Sequence, residues 1–292
     1  MDTRVRGVII VAAVVMAALW PAAMPTASQA PSAGFPAYTP PRTADGKPNL
    51  NGIWQSFTTA NWDIEAHGAQ PGPHPELMGA WGAVPGGQSI VEGGQIPYRP
   101  EALAKKKANF EKRMTPKVTN DPHRYDSGEP ELQCYRPGVP RANYMPFPFQ
   151  IFQTPGEILI VYEYKGASRT IYMDPHREPP TDSWMGWSNG HWEGDTLVVD
   201  VTGFNENTWF DRAGNYHSDA LHVVERYTPV SPYHIKYEAT IEDPNVFTRP
   251  WKISFPIYRR VEENVQLVEF NCVPFVEELM YGPVGLYKPP NR

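Results

Sequence analysis

The sequence is short of cysteine, of positive charge and of long apolar runs. Its 292 residues include two cysteines, and 26 Lys and Arg stand against 32 Asp and Glu, which gives a net charge of −6. Because nucleic acids and anionic membranes attract basic surfaces, we exclude both as partners. No apolar run after residue 30 approaches the roughly 20 residues of a membrane-spanning helix, so we expect no stable membrane insertion once a leader is removed.

Sequence motifs of several enzyme classes are also missing. The chain has no glycine-rich phosphate loop, no dinucleotide fingerprint and no His-Glu-x-x-His zinc motif. The segment Gly186-Trp187-Ser188-Asn189-Gly190 has the letters of a serine nucleophile elbow, but it fits the start of a strand better than a strand-to-helix turn. We therefore expect no organic cofactor and assign no metal ligands, while a bound metal stays an open alternative.

Proline and aromatic residues are abundant instead. The chain holds 33 Pro and 23 Gly, together with 9 Trp and 15 Tyr. Disordered chains lack such aromatic residues, so the prolines indicate turns and strand edges in a folded, loop-rich protein.

The first 30 residues have the pattern of an export signal. Arg4 and Arg6 precede an apolar run of 14 residues from Gly7 to Trp20, and small residues follow it. We expect a signal peptide over residues 1–30, a flexible lead-in over 31–49 and a single domain over 50–292, with a loop and helix insertion at about 64–148. The mature protein is expected in the periplasm or outside the cell. In such an oxidising compartment Cys134 and Cys272 are predicted to form a disulfide, the alternative being two free thiols.

Alternating apolar residues predict a mainly β protein. Strands are predicted at 157–164, 168–173, 187–192, 196–202, 221–228, 235–241, 251–257 and 265–271. One helix is predicted at 101–114, with Leu103, Phe110 and Met114 on its apolar face. Gly194-Asp195 predicts a tight type II′ hairpin turn. Such strands must bury one face each, so we expect an antiparallel meander closed or curled into a barrel, with a β-sandwich as the alternative.

Several long strings resemble one protein family. They include LNGIWQ, CYRPGVPRANYMPFPFQIFQTP, DSWMGWSNGHWEGDTLVVDVTGF and NTWFDRAGNYHSDALHVVERY, and together they span nearly the whole chain after residue 30. The chain thereby resembles an uncharacterised family of exported bacterial proteins, a resemblance that implies no particular activity. Gly52-Ile53-Trp54 is also similar to the Gly-x-Trp of lipocalin-like barrels, which implies a cup for an apolar ligand.

The segment 208–227 carries the candidate catalytic residues. Asp211 and His217 lie in a predicted turn, where Asp–His pairing would fix the tautomer of a general base. His222 and Glu225 follow on a predicted strand, which places them on opposite faces. A buried Glu225 would have a raised pKa, and the alternative is an ion pair with an Arg or Lys. For Asp211 and His217 the alternative is hydrogen bonding within the loop.

Aromatic residues near this segment are candidates for ligand binding. We expect Trp184, Trp187, Trp209, Tyr172 and His176 to contact a flat or apolar molecule, although most tryptophans pack in cores. Asp63, Glu65 and His67 are interpreted as solvated.

Taken together, the sequence predicts an exported protein that binds a small hydrophobic or aromatic molecule in a β-barrel cavity. Its ionisable residues are consistent with a cofactor-independent acid–base enzyme of the lyase, isomerase or hydrolase type. A ligand carrier or sensor and a structural protein of the cell envelope are the alternatives.

Overall fold

The computed structural model describes residues 38–72, 83–114, 128–276 and 280; the predicted signal peptide lies outside them. Its regular elements are eleven strands, one α-helix and two single 3₁₀ turns, Arg141–Asn143 and Tyr164–Gly166. In chain order they are β1 (Gly52–Ser56), β2 (Gln70–Pro71), β3 (Ala83–Val84), α1 (Pro100–Lys112), β4 (Phe149–Gln153), β5 (Glu157–Tyr162), β6 (Ser168–Met173), β7 (Trp187–Glu193), β8 (Thr196–Thr202), β9 (His222–Ser231), β10 (His234–Glu242) and β11 (Trp251–Arg259).

Nine of these strands form a closed barrel. Their order around it is β1-β11-β10-β9-β8-β7-β6-β5-β4, and β1 pairs with both β11 and β4. Closure gives each of the nine strands a neighbour on both sides, and it lets the apolar faces cover one another. The expected lipocalin-like barrel is confirmed, and the β-sandwich alternative is excluded. The short strands β2 and β3 pair with each other outside the barrel.

One neighbour relation departs from the expected antiparallel meander. Strands β6 and β7 run parallel, and their pairing joins only residues 171–173 to residues 188–190. Parallel neighbours cannot be joined by a tight turn, so residues 174–186 cross over between them. The barrel is therefore mixed, and the first half of β6 has no β7 partner on that side.

The alternation of apolar residues explains why these segments are strands. In β10, Ile235, Tyr237, Ala239 and Ile241 are at most 1% exposed, while Lys236 and Glu238 point outward. Buried side chains alternate with more exposed ones in β11 as well. Between β7 and β8 the two-residue turn at Gly194-Asp195 has a positive φ at Gly194 only, as the predicted type II′ hairpin requires.

The short strand β1 closes the barrel at a crowded point. Gly52 has φ +136°, and a side chain there would collide with the guanidinium of Arg259. That guanidinium stacks on the ring of Trp54 at 4.2 Å and donates to the carbonyl of Asn51 at 2.8 Å. Only glycine therefore allows β1 to approach the last strand so closely.

The predicted helix is confirmed, but part of its apolar face is exposed to solvent. Pro100 begins α1, where its missing N–H costs nothing, and Ala102 is buried. Leu103 and Phe110 remain about 40% exposed and, with Met114, line a groove. Within the described ranges, no helix is long and apolar enough to cross a bilayer.

The predicted strand at 265–271 is wrong. These residues follow the barrel as an irregular segment, in which Phe270 packs its ring against those of Phe147 and Tyr164. Phe270 is thus held by ring packing instead of strand pairing, while Val268 is 60% exposed. Cys272 then forms the expected disulfide with Cys134, across 138 positions of sequence.

Removing the disulfide should destabilise the protein. On the chain-entropy model a loop of this length contributes roughly 5 kcal/mol, because cross-linking restricts the unfolded chain. We expect the double variant Cys134→Ser, Cys272→Ser to lose several kcal/mol of unfolding free energy in urea titrations. Reductant should destabilise the wild type similarly and leave the variant unchanged. Equal stability of the oxidised wild type and the variant would contradict this expectation.

Candidate functional site

The main candidate site is a groove between α1 and two loops. It has a volume of about 440 Å³, and we call it the α1 groove. Its lining includes Trp62, Asp63, His67, Leu103, Phe110 and Arg212. A volume of this size falls within the range of small-molecule sites in proteins.

Two carboxyl groups lie next to each other at the wall of the groove. The side-chain amide of Asn215 donates to Asp211 Oδ2 at 2.6 Å and to Asp63 Oδ1 at 3.4 Å, so it bridges them. Asp211 is fully buried and also accepts from the backbone N–H groups of Ile64, Ala213 and Asn215. Asp63 accepts from the N–H of Glu65 and is the member of the pair that lines the groove.

Burial and mutual repulsion change the proton affinity of this pair. Desolvation, followed by the negative charge of Asp63, raises the pKa of Asp211 to about 7. Desolvation is also the main cause that raises the pKa of Asp63. Two carboxyls this close do not ionise together easily, so the pair holds a proton at pH values where an exposed Asp would have lost it.

His67 also lines the groove. Its Nδ1 lies 2.8 Å from the carbonyl oxygen of Glu65, which can only accept, so Nδ1 carries the proton. Nε2 is then the unprotonated nitrogen, and it is buried without a hydrogen-bond partner in the part of the chain that the structure describes. The α1 groove therefore combines a protonated carboxyl pair with an imidazole nitrogen able to accept a proton.

Arginines fix the wall of the groove on the other side. Arg212 stacks on the ring of Trp62 at 4.3 Å and donates twice to Glu131, at 2.7 and 2.9 Å. Arg141, fully buried, donates to Glu131 and Glu129. Although burial opposes it, Arg212 and then Arg141 lower the pKa of Glu131 to about 2. Trp62 is thus held by a charged network that is satisfied within the protein.

The expected Asp211–His217 pair does not form. His217 is 1% exposed, its Nδ1 faces the carbonyl of Ser218 at 2.8 Å, and its Nε2 accepts from Thr208 Oγ1 at 2.6 Å. Its ring also packs against Phe204 and Phe210. Burial lowers the pKa of His217, which keeps it neutral. His217 makes the loop hydrogen bonds of the alternative interpretation and does not line the α1 groove.

His222 and Glu225 lie on opposite faces of β9, as a regular strand requires. His222 is on the outer face, partly exposed, and its Nε2 lies 2.9 Å from Asp200 Oδ2. Glu225 is fully buried inside the barrel and pairs with Arg169 of β6 through two hydrogen bonds, at 2.6 and 3.0 Å. The structure therefore matches the ion-pair interpretation of Glu225.

We call the side chains around this ion pair the core network: Asn143, Tyr162, Arg169, Glu225, Tyr227 and Tyr237. Glu225 Oε1 accepts from Asn143, Tyr227 and Tyr237 in addition to Arg169. Although burial opposes it, Glu225 raises the pKa of Arg169 well above its ordinary value. Both carboxylate oxygens of Glu225 accept hydrogen bonds from these side chains, which leaves Glu225 no free oxygen for chemistry.

Three of the five expected ligand-binding residues come together. Trp184, Trp187 and Tyr172 line a second depression, where β6 and β7 separate. Trp209 instead packs against the hydrophobic core, and His176 lies in solvent near Glu178. Ser188, from the Gly-x-Ser-x-Gly string, is a buried residue inside β7, so the segment is a strand as expected.

The sequence did not identify two residues of the α1 groove. The sequence predicts that Asp63 and His67 are solvated on an early strand or its exit loop, whereas the loop before β2 places both at the groove. The sequence also does not identify Arg169 as the partner of Glu225, because the two residues lie 56 positions apart. Among the described residues, no cluster of three His, Cys, Asp or Glu side chains is arranged to hold a metal ion.

Comparisons with protein-family models, with curated proteins and with solved structures find no significant match to this chain. The resemblance to exported bacterial proteins therefore stays a prediction, and function is argued from geometry alone.

Breaking the core network should destabilise the barrel. Glu225→Gln leaves the buried Arg169 without a counter-charge, so we expect a loss of about 3–5 kcal/mol in unfolding free energy, measured by urea titration. Glu238→Gln, on the outer face of neighbouring β10, is the matched control and should change stability by less than about 1 kcal/mol. A loss no larger than that of the control would show that the pair is not needed for stability.

The carboxyl pair should make stability fall with rising pH. A folded pKa above the ordinary value means that the folded protein binds the proton more tightly, so this stabilisation is complete below about pH 4 and is lost as pH rises toward about 7. In Asp63→Asn the Asp211 pKa should fall, because the neighbouring negative charge is gone. We expect the stability difference between variant and wild type to change across pH 4–7 by an amount on the order of 1 kcal/mol or more.

Urea titrations at several pH values measure this difference. Glu238→Gln, which removes a carboxylate on the outer face of β10, is the control and should show the same pH dependence of stability as the wild type. A pH-independent difference for Asp63→Asn would contradict the coupling of the two carboxyls.

Proposed function

We propose that the protein is a cofactor-independent acid–base enzyme whose substrate, a small molecule with a flat apolar body, binds in the α1 groove. The observation that carries the proposal is the unpartnered, buried Nε2 of His67 in the same groove as the protonated Asp63 pair. In this assignment His67 accepts a proton from the substrate, and Asp63 donates one.

The two groups have complementary roles near neutral pH. The backbone carbonyl of Glu65 fixes the tautomer of His67, which supports its use as a base. Asp63 is supported as the acid because burial raises its pKa, and because Asn215 links it to Asp211, whose pKa is raised to about 7. General acid–base catalysis needs both a proton acceptor and a proton donor whose pKa values lie near the working pH.

Part of the groove lining supplies surface for an apolar, planar substrate, beside charged residues that include Lys106 and Glu111. Trp62 and Phe110 supply aromatic surface, and Leu103 supplies aliphatic surface. Arg212 stiffens the Trp62 ring by stacking on it. Aromatic side chains that are held rigid bind flat molecules at a low cost in conformational entropy.

A second candidate is a ligand carrier without chemistry. It is favoured by the four hydrogen bonds to Asp211, which hold the loop of residues 211–215 against residues 63–64 and suit a structural carboxyl. In that case the groove binds the same kind of molecule, and the carboxyl pair serves only to shape it.

We also propose that the protein is exported. The disulfide between Cys134 and Cys272 supports this, because such bonds persist in oxidising compartments, and the pattern of residues 1–30 agrees with it. Cell fractionation and amino-terminal sequencing of the isolated protein test the proposal. An uncleaved cytoplasmic protein would contradict it.

Proton exchange with solvent tests the chemistry without knowledge of the natural substrate. In D₂O, the α-protons of aromatic ketones such as acetophenone and phenylpyruvate are replaced by deuterium, and proton NMR follows the loss. We expect the protein to accelerate this exchange for the probes that it binds. Because general acid–base groups contribute roughly 10²–10⁴-fold, His67→Gln and Asp63→Asn should each lower the accelerated rate about 100-fold.

The outer Asp–His pair of the barrel provides a matched control. His222→Gln and Asp200→Asn remove the same two residue types away from the groove and should leave the rate unchanged. Binding of the probes in the groove without accelerated exchange would favour the carrier and contradict the enzyme. Equal losses in the control and groove variants would also contradict it.

A further inference from the structure

A second recess opens in the wall of the barrel, distinct from the α1 groove. We call it the wall slot. It has a volume of about 260 Å³ and lies where β6 and β7 separate, because their parallel pairing begins only at residues 171 and 188. Arg169 and Ser168 line it from β6, Trp187 from β7, and Trp184 from the crossover. The slot shares no lining residue with the groove.

Two residues of the wall slot carry buried N–H donors without acceptors. Arg169 is 5% exposed; its two terminal nitrogens bond to Glu225 and its neighbours, while Nε has no hydrogen-bond partner. The indole Nε1 of Trp187 is also buried without a partner. Buried donors in folded proteins are almost always satisfied, so two at one recess indicate that an acceptor binds there.

The surroundings of these donors specify the kind of acceptor. Arg136 and Arg169 line the slot, and among the described residues no Asp or Glu does. Tyr172 stacks on Trp187 with ring centres 4.7 Å apart, and Trp184 adds a further aromatic surface. A carboxylate offers acceptors that suit arginine and indole N–H groups, and an aromatic ring suits the neighbouring faces.

We propose that the wall slot binds a small aromatic carboxylate. Its carboxylate oxygens accept from Arg169 Nε and Trp187 Nε1, and its ring lies against the aromatic residues. The volume is slightly below the usual range of roughly 300–1,000 Å³ for ligand pockets, so the ligand has a single ring. This site is independent of the chemistry proposed for the α1 groove.

Benzoate is the probe that tests the proposal on the full protein. We expect saturable binding by isothermal titration calorimetry, and a shift of the Trp187 indole N–H resonance in the proton–nitrogen NMR spectrum. Benzyl alcohol has the same ring without the charge, and acetate has the charge without the ring. Each should bind at least tenfold more weakly than benzoate. Absence of saturable benzoate binding, or equal binding of either analogue, would overturn the proposal.

The matched variants are two Trp→Phe substitutions. Trp187→Phe keeps an aromatic ring and removes the proposed donor, so benzoate should bind about tenfold more weakly, as expected for loss of a hydrogen bond to a charged group. Trp251→Phe removes another buried, unpartnered indole N–H, outside the slot, and should leave binding unchanged. Circular dichroism verifies that both variants fold. Equal effects of the two substitutions would place benzoate elsewhere.

Asp63→Asn separates this site from the groove. The substitution changes the α1 groove and should leave benzoate affinity unaltered, because Asp63 does not line the slot. A tenfold or greater loss of benzoate binding in Asp63→Asn would assign the ligand to the groove and overturn the slot as its site.

Discussion

The ion pair of Arg169 and Glu225 is the constraint on which the interior of this barrel depends. Two charges removed from water need hydrogen bonds to their other donors and acceptors, and here the described residues satisfy all but Arg169 Nε. Asn143, Tyr227 and Tyr237 are oriented by that requirement, and together they fill the barrel at their level. Space for ligands is consequently found beside the barrel and in its wall, where α1 and the β6–β7 separation leave recesses.

Much of the barrel could be predicted from the sequence, because its strands have one buried and one exposed face. The alternation of Ile235, Tyr237 and Ile241 sets both the length of β10 and its inward side. Gly194, with its positive φ, forms the turn between β7 and β8. These features depend only on residues that are close together in the sequence, so they can be recognised from the sequence directly. The segment 265–271 has a similar alternation and is not a strand; within it Phe270 packs on aromatic neighbours while Val268 is exposed.

The candidate site was harder to predict because its members are distant along the chain. Asp63 and Asn215 are 152 positions apart, and neither neighbourhood predicts that the other will approach. The sequence predicts Asp211 as a site residue, but its hydrogen-bond partners are backbone N–H groups and Asn215 instead of His217. A carboxyl or imidazole in a loop has many local hydrogen-bonding options, so tertiary contacts decide which of them it uses.

The pairing of β1 has a consequence for how the chain acquires its structure. Trp54 of β1 lies opposite Arg259 of β11, the last strand of the barrel, so the ring of strands is completed only after almost the whole polypeptide is available. Contacts of such long sequence separation form slowly. A polypeptide truncated before β11 retains two unpaired strand edges, and these edges are templates for self-association.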